Sequence, residues 1–295
     1  MRKFNLKGNV AQRLRGIEND HQPYPEAPAE KPEMKENAGA GTEGIVTAWR
    51  TDTGKIRKNN QDAVILSDGL FGIADGMGGH NGGETAACGL RDGLIRELSG
   101  KEPNPETLAE AVRTVNGELW KQQEHDASLS GMGTTLTAMW TDARNVYLIQ
   151  VGDSRAYLLR NGEFRQVTED HSMVADMVRR GILTEEQAAC HPMRNYITRA
   201  IGTEESIEAD LYTVSREAGD RWLICSDGLY GQMTRDTLRE LLTVPNPEEA
   251  ADRLLHTALE NGGKDNISLI VADDRAGAAE PEQKPEKTGD GEGAE

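Results

Sequence analysis

The chain has 295 residues, a formal net charge of −17 and a hydrophobic fraction of 36%, so it can hold one large domain or two ordinary ones. The acidic balance argues against a general nucleic-acid surface, which needs clustered Lys and Arg, and no apolar run approaches the ~20 residues of a membrane helix. Cys88, Cys190 and Cys225 are odd in number and form no C-x-x-C pair; with no signal-peptide h-region at the N-terminus, they fit a soluble, unexported protein in a reducing cytoplasm rather than a disulfide framework or a thiolate zinc site.

Residues 1–42 carry Pro23, Pro25, Pro28 and Pro32 among Glu, Asn, Ala and Gly, a composition too poor in apolar groups to offset chain entropy. A disordered extension is expected there, and a second tail over 276–295. Met1 to Gly16 holds five basic residues and no acid; a plain solvated extension is preferred there to a short partner-binding helix. Between the tails, 43–275 reads as one folded domain. Ile45–Trp49, Ala63–Leu66 and Leu70–Ala74 read as strands, the last two joined by Ser67-Asp68-Gly69. A helix is expected over Gly83–Leu98, after a glycine-rich loop.

Asn104-Pro105 supplies an N-cap and an N1 proline to a second helix, whose stripe is Leu108, Ala111, Val112, Val115 and Leu119. Thr135–Trp140, Val146–Val151, Ala156–Arg160 and Glu163–Thr168 are expected to form a meander, with Asn161-Gly162 as a hairpin turn. Thr184 to Gln187 has the form of a capping box. Arg221–Ser226 and Ile267–Ala272 read as buried strands. Asn246-Pro247 opens a last helix with Ala251, Leu254, Leu255 and Ala258 on one face and Asn261-Gly262 as its stop. Helices flanking antiparallel strands in one core indicate an α+β sandwich.

Five short segments place aspartate at a strand end or tight turn. They are Arg57-Lys58-Asn59-Asn60-Gln61-Asp62, Ala74-Asp75-Gly76-Met77-Gly78-Gly79, Gly152-Asp153-Ser154-Arg155, Ser226-Asp227-Gly228 and Gly263-Lys264-Asp265-Asn266. Any one alone is an ordinary turn. Several follow apolar strands, however, and strand ends of one sandwich can converge. Hard divalent cations take oxygen ligands, and two close ions can activate one water for in-line attack on phosphorus. Glycine beside an aspartate allows close backbone approach, and an arginine can clamp a phosphate.

In this order, the segments resemble the metal-dependent Ser/Thr protein phosphatases of the protein phosphatase 2C type, especially compact bacterial members. The resemblance covers roughly Ile45 to Asp273 and includes Gly131-Met132-Gly133-Thr134-Thr135 and the stretch from His191-Pro192 to Ile201-Gly202. It implies an antiparallel β-sandwich with helices on both faces (α-β-β-α). It also implies hydrolysis of phosphoserine and phosphothreonine on proteins by a hydroxide bridging two Mn²⁺ or Mg²⁺ ions. By position, Asp75, Asp227 and Asp265 hold the ions with the Gly76 carbonyl, Asp62 supports the water shell, Arg57 binds the substrate phosphate, and Asp153 joins Asp227 at a weaker third site. The stretch from about 171 to 202 corresponds to the family's flap. Phosphorylated proteins, among them a bacterial Ser/Thr kinase, are the implied partners, with no nucleic acid and no membrane, and a monomer is expected.

Two positions depart from the family's pattern. Gln61 stands where many members have Glu, and Met77 where animal members have His. His80 lies near in sequence, but a lone histidine in a glycine-rich loop is more often only exposed. A cysteine phosphatase is excluded, because the position a nucleophile's arginine would occupy holds Leu94, Tyr196 or Gly231. Gly263-Lys264 is followed by Asp265, so there is no P-loop, and Gly76–Gly83 misses the dinucleotide spacing. An inactive phosphatase-like binding module is the remaining alternative, and the intact aspartate set argues against it.

Overall fold

Strands whose two faces are both apolar require a packed layer on each side, and the computed structural model, which describes residues 35–36, 44–78 and 82–276, supplies both layers. In chain order, the first half comprises β1 (Lys35–Glu36), β2 (Ile45–Asp52), β3 (Asp62–Ser67), β4 (Leu70–Met77), α1 (Gly82–Leu98), α2 (Pro105–His125), β5 (Gly133–Thr134), β6 (Leu136–Thr141) and β7 (Asn145–Val151). The second half comprises β8 (Arg155–Arg160), β9 (Glu163–Gln166), α3 (Met173–Arg179), α4 (Glu185–Ala189), β10 (Asp210–Ser215), β11 (Arg221–Cys225), α5 (Asp227–Tyr230), α6 (Arg235–Leu242), α7 (Pro247–Glu260) and β12 (Ile267–Asp274).

One sheet runs β1-β2-β12-β11-β8-β9 and the other β10-β7-β6-β4-β3, with β5 added to β4. All pairings between these strands are antiparallel. Alternate side chains of each central strand go to different layers, as the period of two requires. Phe71, Ile73, Met139 and Leu148 from one sheet meet Leu158, Trp222, Ile224 and Ile270 from the other. Their neighbours Ala74, Leu136, Ala138 and Ile149 pack outward on Leu90, Leu94, Val112 and Val115 of α1 and α2. Leu223, Leu269 and Val271 pack outward on Leu238, Leu242 and Leu254 of α6 and α7. The result is the helix-sheet-sheet-helix sandwich.

The helix starts follow their caps. Asn104 Oδ1 accepts the Thr107 N–H at 2.8 Å, and Asn246 Oδ1 accepts the Glu248 N–H at 2.9 Å. Both halves of the Thr184–Gln187 capping box are present. Asn161 and Gly162 take φ of 51° and 79°, the left-handed pair that a tight hairpin turn requires.

The expected four-strand meander is corrected. β6 and β7 pair in one sheet and β8 and β9 in the other, so the chain crosses between sheets at Gly152-Asp153-Ser154. An open meander leaves one face to solvent, whereas β6, β7 and β8 carry buried residues on both faces and the crossing lets each be covered. β10 was not expected. Its Leu211, Thr213 and Ser215 face outward and exposed, so it carries too little apolar signal to stand out. Lys35 and Glu36, inside the expected N-terminal tail, pair with Thr47 and Val46; Met1–Gly16 and the stretch after residue 276 lie outside the described residues.

Phe71 lies between the sheets and is fully buried. Phe71→Ala should lower the unfolding free energy by about 3–5 kcal/mol, read from urea denaturation as a lower midpoint with an unchanged slope.

Candidate metal centre

The antiparallel register sets Asp62 directly opposite Asp75, next to Gly76. In the facing sheet, β11 runs out at Cys225 and Asp227 opens α5, while Asp265 precedes β12. The crossing from β7 to β8 adds Asp153. Asp62, Asp75 and Asp227 keep part of their surface open to solvent, and Asp153 is buried.

Their carboxyls share one field. Burial, then the charges of Asp62, Asp227, Asp153 and Asp265, push Asp75 well above the usual carboxylate range. Asp62 rises to about 7 through burial, with hydrogen bonds from Ser268 and Ser226 opposing the shift and Asp227 and Asp265 adding to it. Asp153 rises to about 8 through burial and the charges of Asp227 and Asp170, against Arg155. Asp227 rises to about 6 through burial and Asp265, with Arg57, Arg155 and Arg194 opposing. All seven residues expected at the site are thus brought to one end of the sandwich. His80 lies outside the described residues.

Close backbone packing explains the Asp-Gly pairs. A Cβ on Gly76 would stand 2.2 Å from the Gly83 carbonyl oxygen, and one on Gly228 would stand 1.9 Å from that of Asn266. Larger side chains would push β4 away from α1 and α5 away from the Asp265 loop.

Several supporting residues had no role assigned from sequence. Asn266 accepts the Gln61 N–H at 2.9 Å and donates to the carbonyls of Thr53 and Asn59 at 3.0 and 2.9 Å, stitching the Arg57 loop to the Asp265 loop. Ser226 Oγ donates to Asp62 Oδ2 at 2.9 Å while accepting the Ser268 N–H at 3.0 Å. Thr135 Oγ1 accepts the Asp75 N–H at 3.0 Å and meets Ser154 Oγ at 2.9 Å. Arg155 grips Asp170 with two nitrogens and lies 3.7 Å above the Tyr230 ring, whose hydroxyl donates to the Asp153 carbonyl at 2.9 Å. Side chains that touch only backbone or one another leave no spacing pattern, so only the coordinates reveal them.

Arg57 lies at the mouth of the site, donating to Asp265 Oδ2 at 2.6 Å. Arg194, from the 171–202 stretch, is close enough to favour the charged form of Asp227, so this stretch borders the site. The donor set fits hard divalent cations, which take carboxylate and carbonyl oxygens. Asp62 Oδ1 is buried with no hydrogen-bond partner, an oxygen of the kind a cation or its bound water satisfies. Among the described residues, no group of three or more acidic, imidazole or thiol side chains is placed to hold a metal ion as it stands.

A family model described as protein phosphatase 2C matches residues 52–261. The serine/threonine protein phosphatase PstP of Mycobacterium tuberculosis is 42% identical over 229 residues, which is 77% of this chain and 44% of that protein, so the chain matches less than half the length of this relative. The serine/threonine phosphatase stp of Listeria monocytogenes is 36% identical over 245 residues, covering 76% of this chain and 94% of the relative. The crystal structure of the catalytic domain of PstP in complex with two manganese ions aligns with a TM-score of 0.72 at 39% identity, over 78% of this chain and 97% of that one.

In chelator, the folded protein should hold protons on Asp62, Asp75, Asp153 and Asp227 that the unfolded chain has released above about pH 4. The stability linked to these protons is complete below that pH and is lost as pH rises through the folded values of about 6, 7 and 8 for Asp227, Asp62 and Asp153. Tm in EDTA should therefore fall between about pH 5 and pH 8, and Mn²⁺ should flatten the slope. A Tm that climbs across that range in EDTA would contradict the assigned field.

Proposed function

The chain belongs to the protein phosphatase 2C family, and from that footing we propose that it hydrolyses phosphoserine and phosphothreonine on proteins with Mn²⁺ or Mg²⁺. The observation that carries this reading is the set of mutually repelling aspartates gathered at one sandwich end, with a buried Asp62 oxygen left unsatisfied. The names of the mycobacterial and Listeria relatives and the two manganese ions in the PstP structure support it.

In this reading, Asp75, Asp227 and Asp265, with the Gly76 carbonyl, would hold two ions, and Asp153 with Asp227 would hold a weaker third. When bound, the ions would supply Lewis acidity that activates water and offsets phosphate charge. Asp62, oriented by Ser226, orders water beside them. Arg57 clamps the incoming phosphate, exchanging its present carboxylate partner for the substrate's oxygens. Met77 has no titratable group, so proton delivery to the leaving alkoxide falls to water ordered at the acidic positions, Asp153 among them.

The catalytic domain spans 43–275, with 171–202 as its flap. Its substrates are products of a Ser/Thr kinase, the kinase itself included. No helix among the described residues is long and apolar enough to cross a membrane, and Cys88, Cys190 and Cys225 are unpaired, which favours a reducing compartment. We take the domain to be monomeric. Loss of the metal aspartates would favour an inactive binding module, and Asp75, Asp227 and Asp265 are all present.

Hydrolysis of an aryl phosphate should vanish in EDTA, return with Mn²⁺ and ignore thiol alkylation. Asp227→Ala should cut kcat by more than about 100-fold, beyond what outer-shell changes cost metal sites. Arg57→Ala should mainly raise KM, by about tenfold, the scale of one charge-assisted hydrogen bond. Equal kcat losses in both variants with unchanged metal content would refute the division of roles. Asp153→Ala should keep the fold and the two tight ions while needing more Mn²⁺ for turnover, as a Mn²⁺ titration would show.

A further inference from the structure

His171 lies outside the set of proposed ligands and is 4% exposed. Its backbone N–H donates to the Gly152 carbonyl at 2.8 Å, and its Nδ1 accepts the Gly152 N–H at 3.2 Å. His171 thus meets both polar groups of Gly152, whose carbonyl also accepts from Gln150 Nε2 at 2.9 Å. Gly152 has φ of 98°, and a Cβ there would stand 2.6 Å from Thr135, so no larger residue could pass between the sheets at this point. Asp153 is the next residue.

The other contacts of His171 reach the flap and the sheet edge. Its carbonyl accepts the Thr198 N–H at 2.8 Å. A backbone N–H can only donate, so Nδ1 is the bare ring nitrogen and Nε2 carries the hydrogen. Nε2 stands 3.1 Å from Asp210 Oδ2 on β10 and donates to it, while Arg199 Nη1 donates to Asp210 Oδ1 at 2.9 Å. The flap enters at His171 and leaves through Thr198 and Arg199. One residue thus joins both flap stalks, the edge strand and the crossing that carries Asp153, its backbone carbonyl meeting Thr198 and its imidazole meeting Gly152 and Asp210.

We propose that His171 is a positioning residue for Asp153, locking the sheet-to-sheet crossing to both stalks of the flap so that flap seating sets the affinity of the cation site at Asp153 and Asp227. This rests on the reading of Asp153 as a cation ligand. A histidine that merely closed a loop would contribute to stability alone. One that aims Asp153 contributes to weak-site Mn²⁺ affinity, and only while the Asp153 carboxylate is there to be aimed.

The test is Mn²⁺ calorimetry, together with the Mn²⁺ dependence of aryl phosphate hydrolysis and Tm, on the full chain and on His171→Leu, His171→Asn, Asp153→Ala and the double variant His171→Leu/Asp153→Ala. His171→Leu should weaken the low-affinity Mn²⁺ event by about tenfold, as outer-shell changes do, and leave the tight events in place. His171→Asn, whose Oδ1 can take the Gly152 N–H, should recover most of the loss. The double variant should match Asp153→Ala alone, the full non-additivity of residues acting as one unit. Additive losses, or wild-type Mn²⁺ binding in His171→Leu, would overturn the proposal while leaving the role of Asp153 standing. A silent Asp153→Ala would remove both. If His171→Leu does not fold, Asp210→Ala, at a side chain 38% exposed, removes the Nε2 acceptor. It should weaken the same Mn²⁺ event by a smaller factor, and no change would overturn the proposal.

Discussion

The constraint on which this molecule is built is the repulsion among carboxylates at one end of the sandwich. Burial raises the cost of charging Asp62, Asp75, Asp153 and Asp227, and each also feels at least one neighbouring carboxylate, Asp265 among them. Like charges withdrawn from water destabilise a fold unless something positive compensates them. Rigid elements must therefore hold the groups where relaxation would otherwise part them.

The sandwich does this with backbone geometry first and side chains second. Asp62 and Asp75 are fixed by ladder register, which cannot slip without turning Phe71 and Ile73 out of the central layer. Asp227 and Asp265 are held at their separation by the contact of Gly228 with the Asn266 carbonyl. Arg155 is a built-in partial counter-ion whose charge eases both Asp153 and Asp227. Its bonds to Asp170 and its seat on Tyr230 prevent it from collapsing onto the carboxylates, so it lowers the repulsion without occupying their oxygens. Ser226 acts similarly on Asp62, satisfying one oxygen and leaving the other.

Much of this was legible in the sequence, and the boundary follows physical lines. The strands with apolar residues on both faces, the proline-started helices and the Asn161-Gly162 turn are local signals, and the structure bears them out. The aspartates were legible because metal chemistry demands a particular residue type beside glycine at strand ends. The crossing at Gly152 was not, because two hairpins in one sheet and two in different sheets have the same local pattern. β10 was hidden by its exposed alternate face. The roles of Asn266, Ser226 and Arg155 depend on partners up to 213 residues away in the chain, and spacing says nothing about such contacts.

If the site has its proposed role, the exposed ion pair between Arg57 and Asp265 leaves the centre open to both cation and phosphate. Side-chain exposures of 52% and 29% place the pair at the mouth, where solvent screening makes an ion pair worth little. A deeper arginine locked onto the carboxylate would compete with a divalent cation and would not release to meet a substrate. An exposed positive charge therefore sits on a partly exposed carboxylate. The tightly held one, Arg155, is kept off the deeper carboxylates by Asp170. On the proposed reading one arginine is exchangeable for phosphate while the other stays fixed to balance charge, and the Asn266 bridge between the Arg57 and Asp265 loops keeps Arg57 within reach of the aspartates.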